Sequence, residues 1–117
     1  MIVNDNIDLV NLFKIALEHE RIETHAFTDS TLALQKFKSN PDQFSLVIIN
    51  YATQLKIGAE RKFAKEVKAI NEHIKVVLTS GYNFSADDVS MHGYDKFLQL
   101  PVKMSTLVST VKDMLSS

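Results

Sequence analysis

Two short aliphatic runs decide most of what this chain can become. Ser45-Leu46-Val47-Ile48-Ile49 is apolar almost without interruption, and Lys75-Val76-Val77-Leu78-Thr79 repeats the pattern further on. A strand with one face in water alternates apolar and polar side chains. A continuous run instead suits a central strand of a parallel sheet, covered on both faces. Between the runs, Ala59–Ile70 has helical periodicity, with Phe63, Val67 and Ile70 expected to face inward. Parallel neighbours need a crossover connection, and a helix of this length supplies one.

The same alternation extends in both directions. Met1–Val3 is a short apolar start that could form an unusually short edge of the sheet. From about Asn6 to Glu20, the residues Leu9, Val10, Phe13, Ala16 and Leu17 recur at helical spacing, with Asp5 a possible cap. Ile22–Phe27 reads as a second strand. Thr28 or Asp29 can cap a helix through Leu32, Ala33, Leu34 and Phe37, which Asn40-Pro41-Asp42 stops. Ser80–Phe84 reads as a turn, Ser85-Ala86-Asp87-Asp88 as a capping box with Asp in place of Glu, and Lys96–Gln99 as a fifth strand. A last amphipathic helix covers about Ser105–Leu115 through Leu107, Val108, Val111 and Leu115. The pattern is (βα)5 with right-handed crossovers. It predicts an α/β fold, a three-layer α/β/α sandwich around a doubly wound, five-stranded parallel sheet.

Composition narrows the function. The 117 residues include 13 Lys plus Arg against 14 Asp plus Glu, so no general attraction for nucleic acid is expected. No cysteine is present, which removes disulfides, thiol nucleophiles and cysteine-based metal sites. No apolar run approaches the ~20 residues that cross a bilayer, and no signal segment is evident. The expectation is a single cytoplasmic domain over residues 1–117, without a separate output domain and without a membrane partner.

A doubly wound sheet places its working groups beyond the carboxyl ends of its strands. Here those ends are Asn4/Asp5, Asn50, Thr79/Ser80 and Leu100/Pro101. The ordered set resembles the receiver domain of two-component response regulators, the CheY-like family. It comprises Val3-Asn4-Asp5, Ala33-Leu34, Leu46-Val47-Ile48-Ile49-Asn50 followed by Gly58, Val76-Val77-Leu78-Thr79-Ser80, Phe97 and Leu100-Pro101. The resemblance implies the flavodoxin-like strand order 2-1-3-4-5. It also implies a phospho-accepting Asp after the third strand, an acidic pair that binds Mg²⁺ after the first, a Thr or Ser after the fourth, and a Lys before the Pro after the fifth.

Against that pattern the chain departs at three positions. Asn4 stands in the acidic pair beside the retained Asp5, Asn50 stands at the acceptor position, and Leu100 replaces the Lys, while Thr79 and Pro101 remain. Gln54 stands where a Pro is frequent. A carboxamide has no ionised oxygen to attack phosphorus, and Leu100 cannot neutralise a phosphoryl group. Asp5, with Asn4 and Asn50, is at most a weak or vestigial metal site, so Mg²⁺ is not an expected cofactor and no enzyme activity is expected.

Other residues read as structure or surface. His19, His25, His73 and His92 show no metal-ligand spacing, and Lys56, Arg61, Lys62, Lys65 and Lys68, interrupted by Glu60 and Glu66, read as a solvated helix face. Tyr82 and Phe84, with Tyr51, could cover the crevice. Met91, Tyr94, Phe97, Thr106, Ser109 and Thr110 mark the face of fourth helix, fifth strand and fifth helix that the resemblance makes an interaction surface. The expected function is that of a stand-alone pseudo-receiver acting by protein contact. Its partner would be a histidine kinase, another response regulator, or a second copy in a homodimer. A genuine phosphorelay receiver carrying Asn50 in place of Asp, or a small-ligand module using the same crevice, are the alternatives.

Overall fold

In the computed structural model, which describes residues 1–51 and 59–116, the elements alternate along the chain. They are β1 (Ile2–Val3), α1 (Ile7–His19), β2 (Ala26–Phe27), α2 (Ser30–Ser39), β3 (Leu46–Asn50), α3 (Ala59–Ile70), β4 (Lys75–Ser80), α4 (Ala86–Met91), β5 (Lys96–Gln99) and α5 (Met104–Leu115), with a 3-10 turn at Pro41–Gln43. All strand pairs are parallel, in the order β2-β1-β3-β4-β5. Residues Gln54, Lys56 and Gly58 lie outside the described set.

The two aliphatic runs supply both faces of the sheet. Val47 and Ile49 of β3, with Val76 and Leu78 of β4, pack against Ala33 and Phe37 of α2 and Phe63, Ala64 and Val67 of α3. Their alternates Leu46, Ile48 and Val77 pack against Val10, Phe13 and Leu17 of α1 and Leu107 and Val111 of α5. Side chains alternate across a strand, so a run apolar at every position fills two cores at once. The result is three layers, with α1 and α5 on one face of the sheet.

Side-chain caps set the helix starts. Asn6 Oδ1 accepts from the backbone N–H of Asp8 (3.1 Å) and Leu9 (3.2 Å), so Asn6 caps α1 and not Asp5. Asp29 caps α2, and Ser85 Oγ accepts from Asp88 N–H at 3.1 Å to start α4.

Four expectations change. The second strand shrinks from Ile22–Phe27 to two residues, because β1 offers a partner only to Ala26 and Phe27. β1 itself is no edge; it lies between β2 and β3. Ile70 is exposed: the inward face of α3 runs through Glu60, Phe63, Ala64 and Val67, and Ile74 completes that core from the following loop. Leu115 is likewise exposed at the end of α5.

Candidate functional site

The carboxyl ends of β1, β3 and β4 bring Asn4, Asn50 and Thr79 to one end of the sheet, since Asn50 is in register with Thr79. Asn50 uses both halves of its amide. Its Nδ2 donates to the Tyr51 carbonyl at 3.2 Å, and its Oδ1 accepts from Thr79 Oγ1 at 3.1 Å. The backbone is stitched at the same place, Tyr51 N–H donating to Thr79 O at 2.8 Å. Ser80, buried beside Thr79, accepts from Tyr82 N–H through Oγ at 2.9 Å and shapes the turn after β4.

Asn4 is buried. Its Oδ1 accepts from Asn6 N–H at 3.0 Å, and its Nδ2 has no hydrogen-bond partner among the described residues. Asp5 is exposed beside it. This donor set does not suit the Mg²⁺ of the resembled family. A small, hard, strongly hydrated cation asks for carboxylate oxygens, whereas only Asp5 carries one here and the amide oxygens of Asn4 and Asn50 already accept hydrogen bonds. Among the described residues, no group of three or more His, Cys, Asp or Glu side chains is placed to hold a metal.

Leu100, after β5, is half-buried and packs against the α1/α5 core, with its N–H donating to Ser80 O at 2.7 Å. The Leu100–Pro101 peptide bond is cis. An edge-to-face aromatic series runs from the crevice toward β5. Tyr51 meets Tyr82 with centroids 6.0 Å apart and Phe84 at 5.2 Å, and Phe84 meets Phe97 at 5.4 Å. Tyr82 is exposed, while Tyr51, Phe84 and Phe97 are half-buried against the α2/α3 core.

The residues of the expected interaction face differ in burial. Met91 is 72% exposed and Thr106 is exposed, but Tyr94 is only 7% exposed and belongs to the core. Ser109 opens instead onto the cleft between α5 and α1, and Thr110 is half-buried.

Glu60, expected on a solvated helix face, is instead turned inward. It is 2% exposed, and among the described residues neither carboxylate oxygen has a hydrogen-bond partner; the Tyr94 hydroxyl is similarly buried and has none among them. Burial first, and then the charge of Glu60, raise the Tyr94 pKa above its ordinary value, with Arg61 opposing. The available signal was spacing: Glu60, Phe63, Ala64 and Val67 share one helical face. The exposed basic residues of α3 are partly neutralised, Lys62 lying 4.0 Å from Glu66 and Lys68 2.9 Å from Asp95.

No protein-family model matches the sequence, and no curated protein matches it. Solved structures match over nearly its whole length. A response regulator from Thermotoga maritima superimposes with a TM-score of 0.85 at 18% identity, over 100% of this chain and 96% of that one. A two-component response regulator from Clostridium difficile gives 0.84 at 20%, over 98% and 93%. A response regulator receiver domain protein from Clostridium thermocellum gives 0.83 at 22%, over 98% and 91%. Strand order, helix placement and these superpositions agree: the chain has the CheY-like receiver-domain fold.

Proposed function

We propose that this chain is a receiver-like signalling module that acts through non-covalent protein contact and takes no phosphoryl group at position 50. The observation that carries the reading is the Asn50 amide, which donates to Tyr51 O and accepts from Thr79 Oγ1. An acyl phosphate forms when a carboxylate oxygen attacks phosphorus. A carboxamide engaged in this way offers no such nucleophile. Leu100 adds a second obstacle, since a leucine packed against the core supplies no cation for the oxygens of a transferring group.

A module of this kind signals by being read. Its partners are a histidine kinase, another response regulator, or a second copy of the chain. Such a partner shifts the population between pre-existing conformations by its differential affinity for them.

Intact-mass measurement with acetyl phosphate and Mg²⁺, on the chain and on Asn50→Asp, tests the reading. The expected result is no added phosphoryl group on either. A phosphoryl group on the unaltered chain overturns the reading. Uptake by Asn50→Asp alone points to a phosphorelay receiver disabled at one position, because it would mean that Asn4 and Leu100 do not prevent transfer.

A further inference from the structure

Exposed apolar surface concentrates on α1, away from the α4–β5 side. Among the described residues, α1 leaves three large hydrophobic side chains exposed, Ile7, Leu12 and Ile15, whereas α2, α3, α4 and α5 leave one each. Leu12 is 47% exposed and Ile15 67%. Both belong to a stripe, Asp8, Leu12, Ile15 and His19, spaced by four, three and four residues. With ~3.6 residues per turn these four fall on one narrow face, opposite the buried Val10, Phe13 and Leu17. Spacing of this kind makes a seam along which another helix can lie. Leu12, Ile15 and His19 form one wall of a cleft of about 610 Å³ between α1 and α5, which Ala16, Ser105 and Ser109 line with small side chains and Met104 and Val108 with larger ones.

The order of residues in the stripe selects the occupant. Acid, aliphatic, aliphatic, imidazole reads in reverse as imidazole, aliphatic, aliphatic, acid. A second α1 running antiparallel, with a two-fold axis between Leu12 and Ile15, sets Leu12 of each copy against Ile15 of the other. The same operation sets Asp8, in the first turn, against His19, in the last, twice over. Antiparallel pairing also opposes the two helix dipoles. The small residues of the cleft leave room for the opposing aliphatic side chains, and the Glu20–Lys112 ion pair, at 3.1 Å, ties α1 to α5 at the rim.

We propose that the outer face of α1, with the adjoining rim of α5, is an isologous homodimer interface. The proposal rests on α1 and is independent of the phosphorylation reading. It is tested by sedimentation velocity from micromolar to near-millimolar protein. The unaltered chain is expected to form a reversible dimer. Ile15→Glu should raise the dissociation constant by at least about tenfold, as removal of a central apolar anchor does. Met91→Glu, on α4, should leave it unchanged. Because these positions are exposed, circular dichroism should show native folding in each variant. Asp8→Lys and His19→Glu should each weaken the dimer, and the two together should restore it. A chain that stays monomeric throughout overturns the proposal, as does a dimer that Ile15→Glu does not disturb or that Met91→Glu disperses. Failure of the double charge swap to restore association overturns the antiparallel pairing.

Discussion

The two ends of the sheet handle polar groups in opposite ways. At the carboxyl ends, the buried or half-buried polar side chains of the strand termini are neutral amides and hydroxyls, Asn4, Asn50, Thr79 and Ser80, and the nearby carboxylate of Asp5 is exposed. At the amino ends, ionisable groups are tied to the backbone of the strands. The Met1 α-amino group is buried and donates to Leu46 O at 3.0 Å, and Asp95 accepts from both Lys68 Nζ (2.9 Å) and Val76 N–H (2.8 Å). Buried charge costs several kcal/mol unless it is well paired, and buried amides and hydroxyls cost far less once bonded. The buried Met1 amine therefore makes the amino end sensitive to pH, whereas the polar side chains at the carboxyl ends of the strands are neutral in the place where a receiver of the resembled family carries its charges.

The strongest test of this contrast is pH. Burial lowers the Met1 amine pKa from 8.0 to about 5 in the fold. Between these two values the unfolded chain binds more protons than the folded one, so stability falls as pH falls. The contribution is complete above pH 8 and is lost as pH drops through 5, a change on the order of 4 kcal/mol. Urea unfolding midpoints across this window should show the slope. A chain extended by one residue ahead of Met1 moves the charge outward and replaces the amine by an amide N–H that can still reach Leu46 O. Its profile should be flatter by the amount the amine contributed; an unchanged slope would assign the effect to other groups.

The carboxyl end should respond to charge rather than to pH. Asn50→Asp places a carboxylate oxygen against the Tyr51 carbonyl, two acceptors with no proton between them, in place of a 3.2 Å hydrogen bond. A loss of about 1–3 kcal/mol at neutral pH is expected. The loss should shrink in acid, where the introduced carboxyl regains a proton to donate. A smaller effect is expected from Thr79→Val. It removes the hydroxyl that donates to Asn50 Oδ1 but keeps the shape, and half-buried Asn50 can turn to water, so about 1 kcal/mol is lost. If Thr79→Val costs more than Asn50→Asp, the network is organised around the hydroxyl and not around the amide.

The parts of this molecule that could be read from sequence are those where one physical rule dominates. The runs through Val47-Ile48-Ile49 and Val76-Val77-Leu78 announce central strands, because every position must be apolar when both faces are covered. Once strands are placed, their ends place Asn50, Thr79 and Leu100. Legibility fails where neighbours decide. β2 is short because β1 is short, a property of the partner strand that no periodicity within Ile22–Phe27 contains. Tyr94 carries a polar tip on an apolar ring and takes the core. Glu60 sits on the apolar side of α3 by spacing but is charged by type, and residue type misled while spacing was right. Ile70 shows the converse, an apolar residue left outside because Ile74 already fills that end of the core.

The smallest expected effect divides the amino end itself. Lys68 and Asp95 form an ion pair in which both side chains are partly exposed, about a quarter to a third, so solvent screens the attraction. Lys68→Met keeps most of the aliphatic packing and should cost less than about 1 kcal/mol. Asp95 has a second role, since its Oδ2 is the acceptor for the N–H of Val76, a residue with no exposed surface. Asp95→Ala leaves that donor buried and unpaired, which should cost about 1–3 kcal/mol, more than the ion pair is worth. Measured together, the two variants and their double should show that the loss belongs almost wholly to Asp95. Equal losses in the two single variants, with no further loss in the double, would instead show that the ion pair itself stabilises this end of the sheet.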